Sequence, residues 1–183
     1  NPKYAEAFFN RGWNKAKLKD HYGAISDFTK AIEINPEYAD AYINRGIKKR
    51  NIKDYYGAIS DYNKVIEINP EYAEAFFNRG YAKNLIKDYY GAISDFTKAI
   101  EINQEYANAY NNRGYSKSIL KDYYGAISDF NMTIKIDPQH VLGLSNRSIA
   151  KENIGDITGA CIDAKKAFSL GANNKENWIQ RNC

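Results

Sequence analysis

The stretch Asp54–Ser60 reads DYYGAIS, and it returns unchanged at Asp88–Ser94 and Asp122–Ser128, with DHYGAIS at Asp20–Ser26. A worn copy, DITGACI, begins at Asp156, so the phrase stands five times at an interval of 34 residues. A catalytic loop is needed once and a building unit many times. The repetition therefore points to architecture, with each unit burying its apolar face against its neighbours.

Apolar residues make up 44% of the 183 positions and charged residues 26%, ordinary values for a soluble chain. No apolar run approaches the roughly 20 residues of a membrane span. The net charge of +4 is mild and its cations are spread along the chain, which compels neither a nucleic-acid nor a membrane-surface partner. Cys161 stands where the other copies have Ile25, Ile59, Ile93 and Ile127, so it reads as a buried reduced thiol. Cys183 is the only other cysteine, and no disulfide framework is expected. The chain opens NPKYAEAF, a phrase that recurs as NPEYADAY from Asn35 and NPEYAEAF from Asn69. It starts at a repeat joint and is expected to be a piece of a longer array. The compartment is not written in the sequence; the cytoplasm is the default reading.

Aligned copies give units 5–38, 39–72, 73–106, 107–140 and 141–174, followed by a partial sixth at 175–183. Each reads as two helices. Ala5, Phe8, Phe9 and Gly12 recur at helical spacing in the first, and Tyr22, Ile25, Phe28 and Ile32 in the second. Asp20, Asp54, Asp88, Asp122 and Asp156 are placed to cap the second helix. Asn-Pro or Asp-Pro at 35, 69 and 137 separates it from the next unit; Gln104 replaces Pro at one joint, where Asn103 still serves as cap. Gly12, Gly46, Gly80 and Gly114 sit mid-helix, with Ser148 in the fifth copy, although glycine there costs about 1 kcal/mol relative to alanine. The expected compensation is close backbone approach to the small column Ala24, Ala58, Ala92, Ala126 and Ala160.

These columns resemble the tetratricopeptide repeat. The likeness rests on the 34-residue period, the aromatics Phe8, Tyr42, Phe76 and Tyr110, the small residue four later, the Ala column, the aromatics Phe28, Tyr62, Phe96 and Phe130, the small Ala31 or Ala99, and Pro36, Pro70 or Pro138. It covers essentially the whole chain. It implies an all-α fold, a right-handed α-solenoid (superhelix) of stacked antiparallel helical hairpins. One departure is Arg11, Arg45, Arg79, Arg113 and Arg147, where the family usually has Leu. Each precedes an Asp by 16 residues, at Asp27, Asp61, Asp95, Asp129 and Asp163, and the pairing predicts an Arg–Asp bridge inside every hairpin. At the C-terminus Trp178 enters the Phe8 column but polar Gln180, Arg181 and Asn182 follow, as in a solvating cap helix.

Nothing stands apart from the repeat to do chemistry. His21 and His140 replace tyrosines of their columns, and no catalytic triad, metal-ligand spacing or phosphate loop is present, so neither an enzyme nor a cofactor is expected. What remains is surface. The resemblance implies a concave groove lined by Phe9, Asn10 and Trp13, then Ile43, Asn44 and Ile47, then Phe77, Asn78 and Tyr81. The fourth and fifth units add Asn111, Asn112 and Tyr115, and Ser145, Asn146 and Ile149. Such an apolar, aromatic face marks a partner site, with padding of the inter-repeat core as the plain alternative.

The Asn column at 10, 44, 78, 112 and 146 is expected to hold an extended peptide by its backbone, each amide offering a donor and an acceptor, as a similar column does in another member of the family; hydrogen bonding to a neighbouring helix is the plain alternative. The family's clamp for C-terminal carboxylates of chaperone tails is absent, because Phe9, Trp13 and Glu74 occupy its Lys, Asn and Lys places. The Lys15, Lys49, Lys83, Lys117 and Lys151 column, with Lys19, Lys53, Lys87 and Lys121 one turn on, reads as a solvated helix face and not as a nucleic-acid groove. The exposed apolar face of the first helix predicts self-association through that end.

Overall fold

The computed structural model describes residues 2–172 and 176–183; the joint expected between the fifth and sixth units, including Lys175, lies outside them. The described residues form eleven helices: α1 (Pro2–Lys17), α2 (His21–Ile34), α3 (Ala39–Asn51), α4 (Tyr55–Ile68), α5 (Ala73–Leu85), α6 (Tyr89–Ile102), α7 (Ala107–Ile119), α8 (Tyr123–Ile136), α9 (Val141–Asn153), α10 (Ile157–Ser169) and the short α11 (Glu176–Asn182). The chain separates into two compact units, one ending at Ile102 and the other beginning at Asn103. The fold is all-α and of the α-solenoid class. Within each unit, the second helix of one hairpin packs against the first helix of the next, as in α2 on α3, α4 on α5 and α8 on α9. First helices also touch one another, α1 with α3, α3 with α5, and α7 with α9.

Three residues turn each hairpin. Asp20 donates its backbone N–H to the Lys15 carbonyl at 3.0 Å and accepts Gly23 N–H on its carboxylate at 2.9 Å, so one residue closes α1 and caps α2. Asp54, Asp88, Asp122 and Asp156 do the same. The residue before them must be left-handed. Gly155 fills that place in the last copy with φ 83, but the other four use Lys19, Lys53, Lys87 and Lys121 at φ between 62 and 67. These lysines are therefore C-cap residues under strain, beyond their expected role as solvated charge. A left-handed non-glycine costs about 1–2 kcal/mol, of which glycine's extra unfolded-state entropy cancels a part. Lys53→Gly combined with Lys87→Gly is expected to raise the unfolding free energy by about 1 kcal/mol in urea melts; a loss would mean the lysine side chains contribute more than strain removes.

The joints are Asx turns. Asn35 accepts Glu37 N–H, Asn69 accepts Glu71 N–H, and Asn103 accepts Glu105 N–H at 3.0 Å although no proline follows it.

The glycine column has a different partner from the one expected. The atoms that a Cβ on Gly12, Gly46 or Gly80 would meet first, at 2.6–3.0 Å, belong to the ring of Phe28, Tyr62 or Phe96. Gly114 also nears the Ala126 carbonyl, at 3.1 Å, beside the Phe130 ring at 2.8 Å. Glycine makes room for a fully buried aromatic ring. The fifth hairpin carries the complementary exchange, Ser148 opposite Ala164, both buried.

Candidate interaction surface

The predicted Arg–Asp bridges form in all five hairpins. Arg45 donates to both carboxylate oxygens of Asp61 from Nε at 3.0 Å and Nη2 at 2.6 Å, and Arg11, Arg79, Arg113 and Arg147 grip their aspartates in the same two-pronged way. Each Asp is buried. The lysine four residues after each arginine completes a triad: Lys15, Lys49, Lys83, Lys117 and Lys151 stand 2.8–2.9 Å from the same carboxylates. They are thus not a solvated face, and their charge is matched within the fold. The arginine fork also reaches back to the preceding hairpin, Arg45 to Thr29, Arg79 to Asn63 and Arg147 to Asn131. Bonding from Arg11 holds the Asp27 carboxyl below the usual carboxylate range.

The face implied for the groove divides into buried and exposed columns. Phe9 packs on Phe28 and Tyr38 at 5.6 and 5.0 Å, Phe77 on Phe96 at 5.8 Å, and Ile43, Asn111 and Ser145 are buried. The aromatic contacts lie inside a single repeat, between its first helix and the rest of the same unit. Four positions on, Trp13, Tyr81, Tyr115 and Ile149 are exposed while Ile47 is half-buried. Another helical turn along, Leu85 follows Tyr81 in the first unit and Ile119 follows Tyr115 in the second, and both are exposed. Sequence reading passed over them, although their spacing of four from Tyr81 and Tyr115 puts them on one helix face.

The asparagines are occupied unequally. Asn10 is exposed. Asn44, Asn78 and Asn112 each donate Nδ2 to the carbonyl four residues back in their own helix, at 2.8, 3.0 and 2.8 Å. Asn78 is only 5% exposed and accepts from Arg50 Nη1 at 3.1 Å; Asn146 donates to Asn111 Oδ1 at 3.1 Å.

Two clefts open beside these rows in the same register. In the first unit, a cleft of about 450 Å³ is lined by Arg50, Lys53, Tyr55, Asn78, Tyr81 and Leu85, among others. In the second, one of about 300 Å³ has Tyr115, Ser118, Ile119, Phe130 and Ile149 on its walls.

Two polar expectations change. Cys161 is not a reduced thiol: it is disulfide-bonded to Cys183, with Cα atoms 5.6 Å apart, and ties the end of α11 to α10. The column comparison could not find this, because Cys183 falls in the Ile149 column of the partial sixth unit, where no other copy has a cysteine. His140 does more than replace a tyrosine. Its Nδ1 caps α9 by accepting Gly143 N–H at 2.9 Å, and Nε2 lies 3.0 Å from Asn108 Oδ1. Trp178, at the start of α11, donates to Glu152 Oε1 at 2.9 Å. Among the described residues, no group of three or more His, Cys, Asp or Glu side chains could hold a metal ion. Among those residues, too, no helix is long and apolar enough to cross a membrane.

Tandem helical hairpins, locked by buried ion triads and presenting exposed aromatic side chains on their first helices, define a helical repeat protein. Models of the tetratricopeptide repeat match residues 5–38, 73–106 and 107–140, and a TPR repeat model matches 52–84, together more than half of the chain. The chain belongs to the tetratricopeptide repeat family. No curated protein sequence matches it. Among solved structures it is similar to MamA, with 24% identity over 98% of this chain and 97% of that one and a TM-score of 0.83. It is also similar to YrrB, described as a TPR protein with an unusual peptide-binding site (18% identity, 96% and 91% covered, TM-score 0.77), and to PilF of Pseudomonas aeruginosa (17%, 93% and 78%, TM-score 0.84).

Proposed function

We propose that the chain is a protein-interaction scaffold whose five repeats hold an extended peptide segment of a partner against the first-helix face. The exposed apolar side chains of the first helices, Trp13, Tyr81 and Leu85 in the first unit and Tyr115, Ile119 and Ile149 in the second, carry this reading, since such side chains are the usual mark of a protein-binding surface. The peptide-binding site described for the structurally similar YrrB is in keeping with it. The asparagines supply the backbone grip. With the amide nitrogens of Asn44 and Asn112 bonded into their own helices, their oxygens are the groups that meet a peptide N–H.

A peptide selected from a random displayed library tests this. Tyr81→Ala and Ile119→Ala are each expected to weaken the selected peptide by about tenfold or more, and Asn44→Ala with Asn112→Ala by about 1 kcal/mol per lost bond, with helicity unchanged. Failure to select any peptide, or affinity indifferent to all four substitutions, defeats the reading.

A second reading, self-association through α1, is favoured by a cavity of about 240 Å³ lined by Tyr4, Ala7, Phe8 and Arg11 on its outer face. The Arg11 side chain is 55% exposed where its equivalents are 15–19%. Sedimentation over a wide concentration range is expected to reveal dimers that Tyr4→Asp removes; a monomer throughout excludes them.

A further inference from the structure

The cleft between the second and third hairpins departs from its own repeat. The column that holds Ala16, Asn84, Ser118 and Glu152 holds Arg50 in the second unit, two residues after Lys48, in a column otherwise filled by Asn14, Ala82, Ser116 and Ala150. Two cations are thus written into one hairpin at places the repeat leaves small or polar in most copies.

Arg50 is held ready without being neutralised. Its guanidinium lies 4.8 Å over the Tyr81 ring, and Nη1 donates to Asn78 Oδ1 at 3.1 Å. Each column arginine has a buried aspartate, whereas among the described residues no carboxylate stands within ion-pair reach of Arg50. The nearest acid on this network, Glu74, is reached only through Asn78, whose Nδ2 lies 3.4 Å from Oε1. Stacking and the amide bond fix the fork in one place, so little conformational entropy is lost when it takes a ligand. Lys53, pinned at the hairpin turn by its left-handed backbone, adds a second cation to the wall, and Tyr55 a phenol. Burial and the neighbouring Arg50 together lower the Lys48 pKa, so the cations here already repel one another. Tyr62, in the column that puts Phe130 on the wall of the other cleft, is fully buried, and its hydroxyl meets no partner among the described residues.

We infer that this cleft seats the side-chain carboxylate of an Asp or Glu within the extended peptide, paired with Arg50 and supported by Lys53, while the Tyr81 and Leu85 side chains flank the peptide's apolar neighbours. The inference rests on the groove reading above and gives it a sequence preference. In the second unit, Ser118 stands in the Arg50 column and isoleucines line the walls, so that cleft selects an apolar side chain instead.

The test uses the whole chain and short peptides blocked at both ends, each with one Leu or Phe and a single Glu, beside twins carrying Gln. Fluorescence anisotropy is expected to give a Glu preference of about tenfold at low salt that shrinks as salt is added. Arg50→Gln should erase the preference, so that each Glu peptide and its Gln twin bind that variant equally, while Arg50→Lys keeps part of it. A melting curve for each variant guards against loss of fold through the Tyr81 and Asn78 contacts. Binding of both twins without preference, or a preference that survives Arg50→Gln, overturns the inference and spares the groove. So does an effect seen only with a free C-terminal carboxylate, while binding of neither twin overturns both readings.

Discussion

Asp95→Ala should lower the unfolding free energy by about 3–4 kcal/mol, the largest loss expected from any single charge in the molecule. The carboxylate is 2% exposed and takes Arg79 Nε at 3.0 Å, Arg79 Nη2 at 2.6 Å and Lys83 Nζ at 2.9 Å. Its removal strands two cations whose side chains are about one-fifth exposed. Most of the penalty comes from those unmatched charges and little from the lost attraction, because replacing a whole buried pair is far milder than breaking it. Arg79 also holds Asn63 of the hairpin before, so the loss reaches two hairpins. Lys64→Ala is the control. Its partner Glu67 is likewise close, but both side chains are more than half exposed, and such pairs contribute about 0–1 kcal/mol. Urea melts of the two variants decide the matter: equal losses would reduce the triads to surface decoration. Asp95→Asn, which keeps an acceptor, is expected to fall between them.

The Arg–Asp bridges were legible because both residues recur at one interval on adjoining helices, which leaves few other partners for the buried aspartate's charge. The lysine four residues on was misread as solvated. Its spacing does put it on the arginine's own helix face, but whether a long side chain swings to water or to a shared carboxylate is decided by the depth of that carboxylate, which no single copy reveals. Capping aspartates could be read from sequence, since their effect is local to one turn. The strained lysines could have been found from the glycine that stands in their column at 155. The split between buried Ile43 with half-buried Phe9 and Phe77 and exposed Trp13 and Tyr81 was hidden for a different reason: residues four apart share a face, and only the packing around the helix decides how far along it that face is covered. The cleft cation Arg50 was visible as an odd residue in its column, but its freedom from carboxylates is a property of the assembled unit.

The glycine column makes a prediction whose sign is more telling than its size. In the parent chain, Gly114→Ala should be harmful. Helix propensity favours alanine by about 1 kcal/mol, but the new Cβ would sit 2.8 Å from the Phe130 ring and 3.1 Å from the Ala126 carbonyl, and overpacking of that kind costs about 1–3 kcal/mol. Phe130→Ala should cost about 3–5 kcal/mol, since the ring is fully buried and its loss leaves a cavity. Together the two should not add. With the ring gone, the alanine methyl enters vacated space and only the carbonyl at 3.1 Å still resists it, so Gly114→Ala becomes stabilising in the Phe130→Ala background, with a coupling of about 1–3 kcal/mol. The fifth hairpin already lives with this exchange, its Ser148 and Ala164 both fully buried in the same two columns. Equilibrium melts of the parent, both single variants and the double variant complete the cycle. Additive losses would mean that the backbone, and not the aromatic ring, is what requires glycine at this crossing.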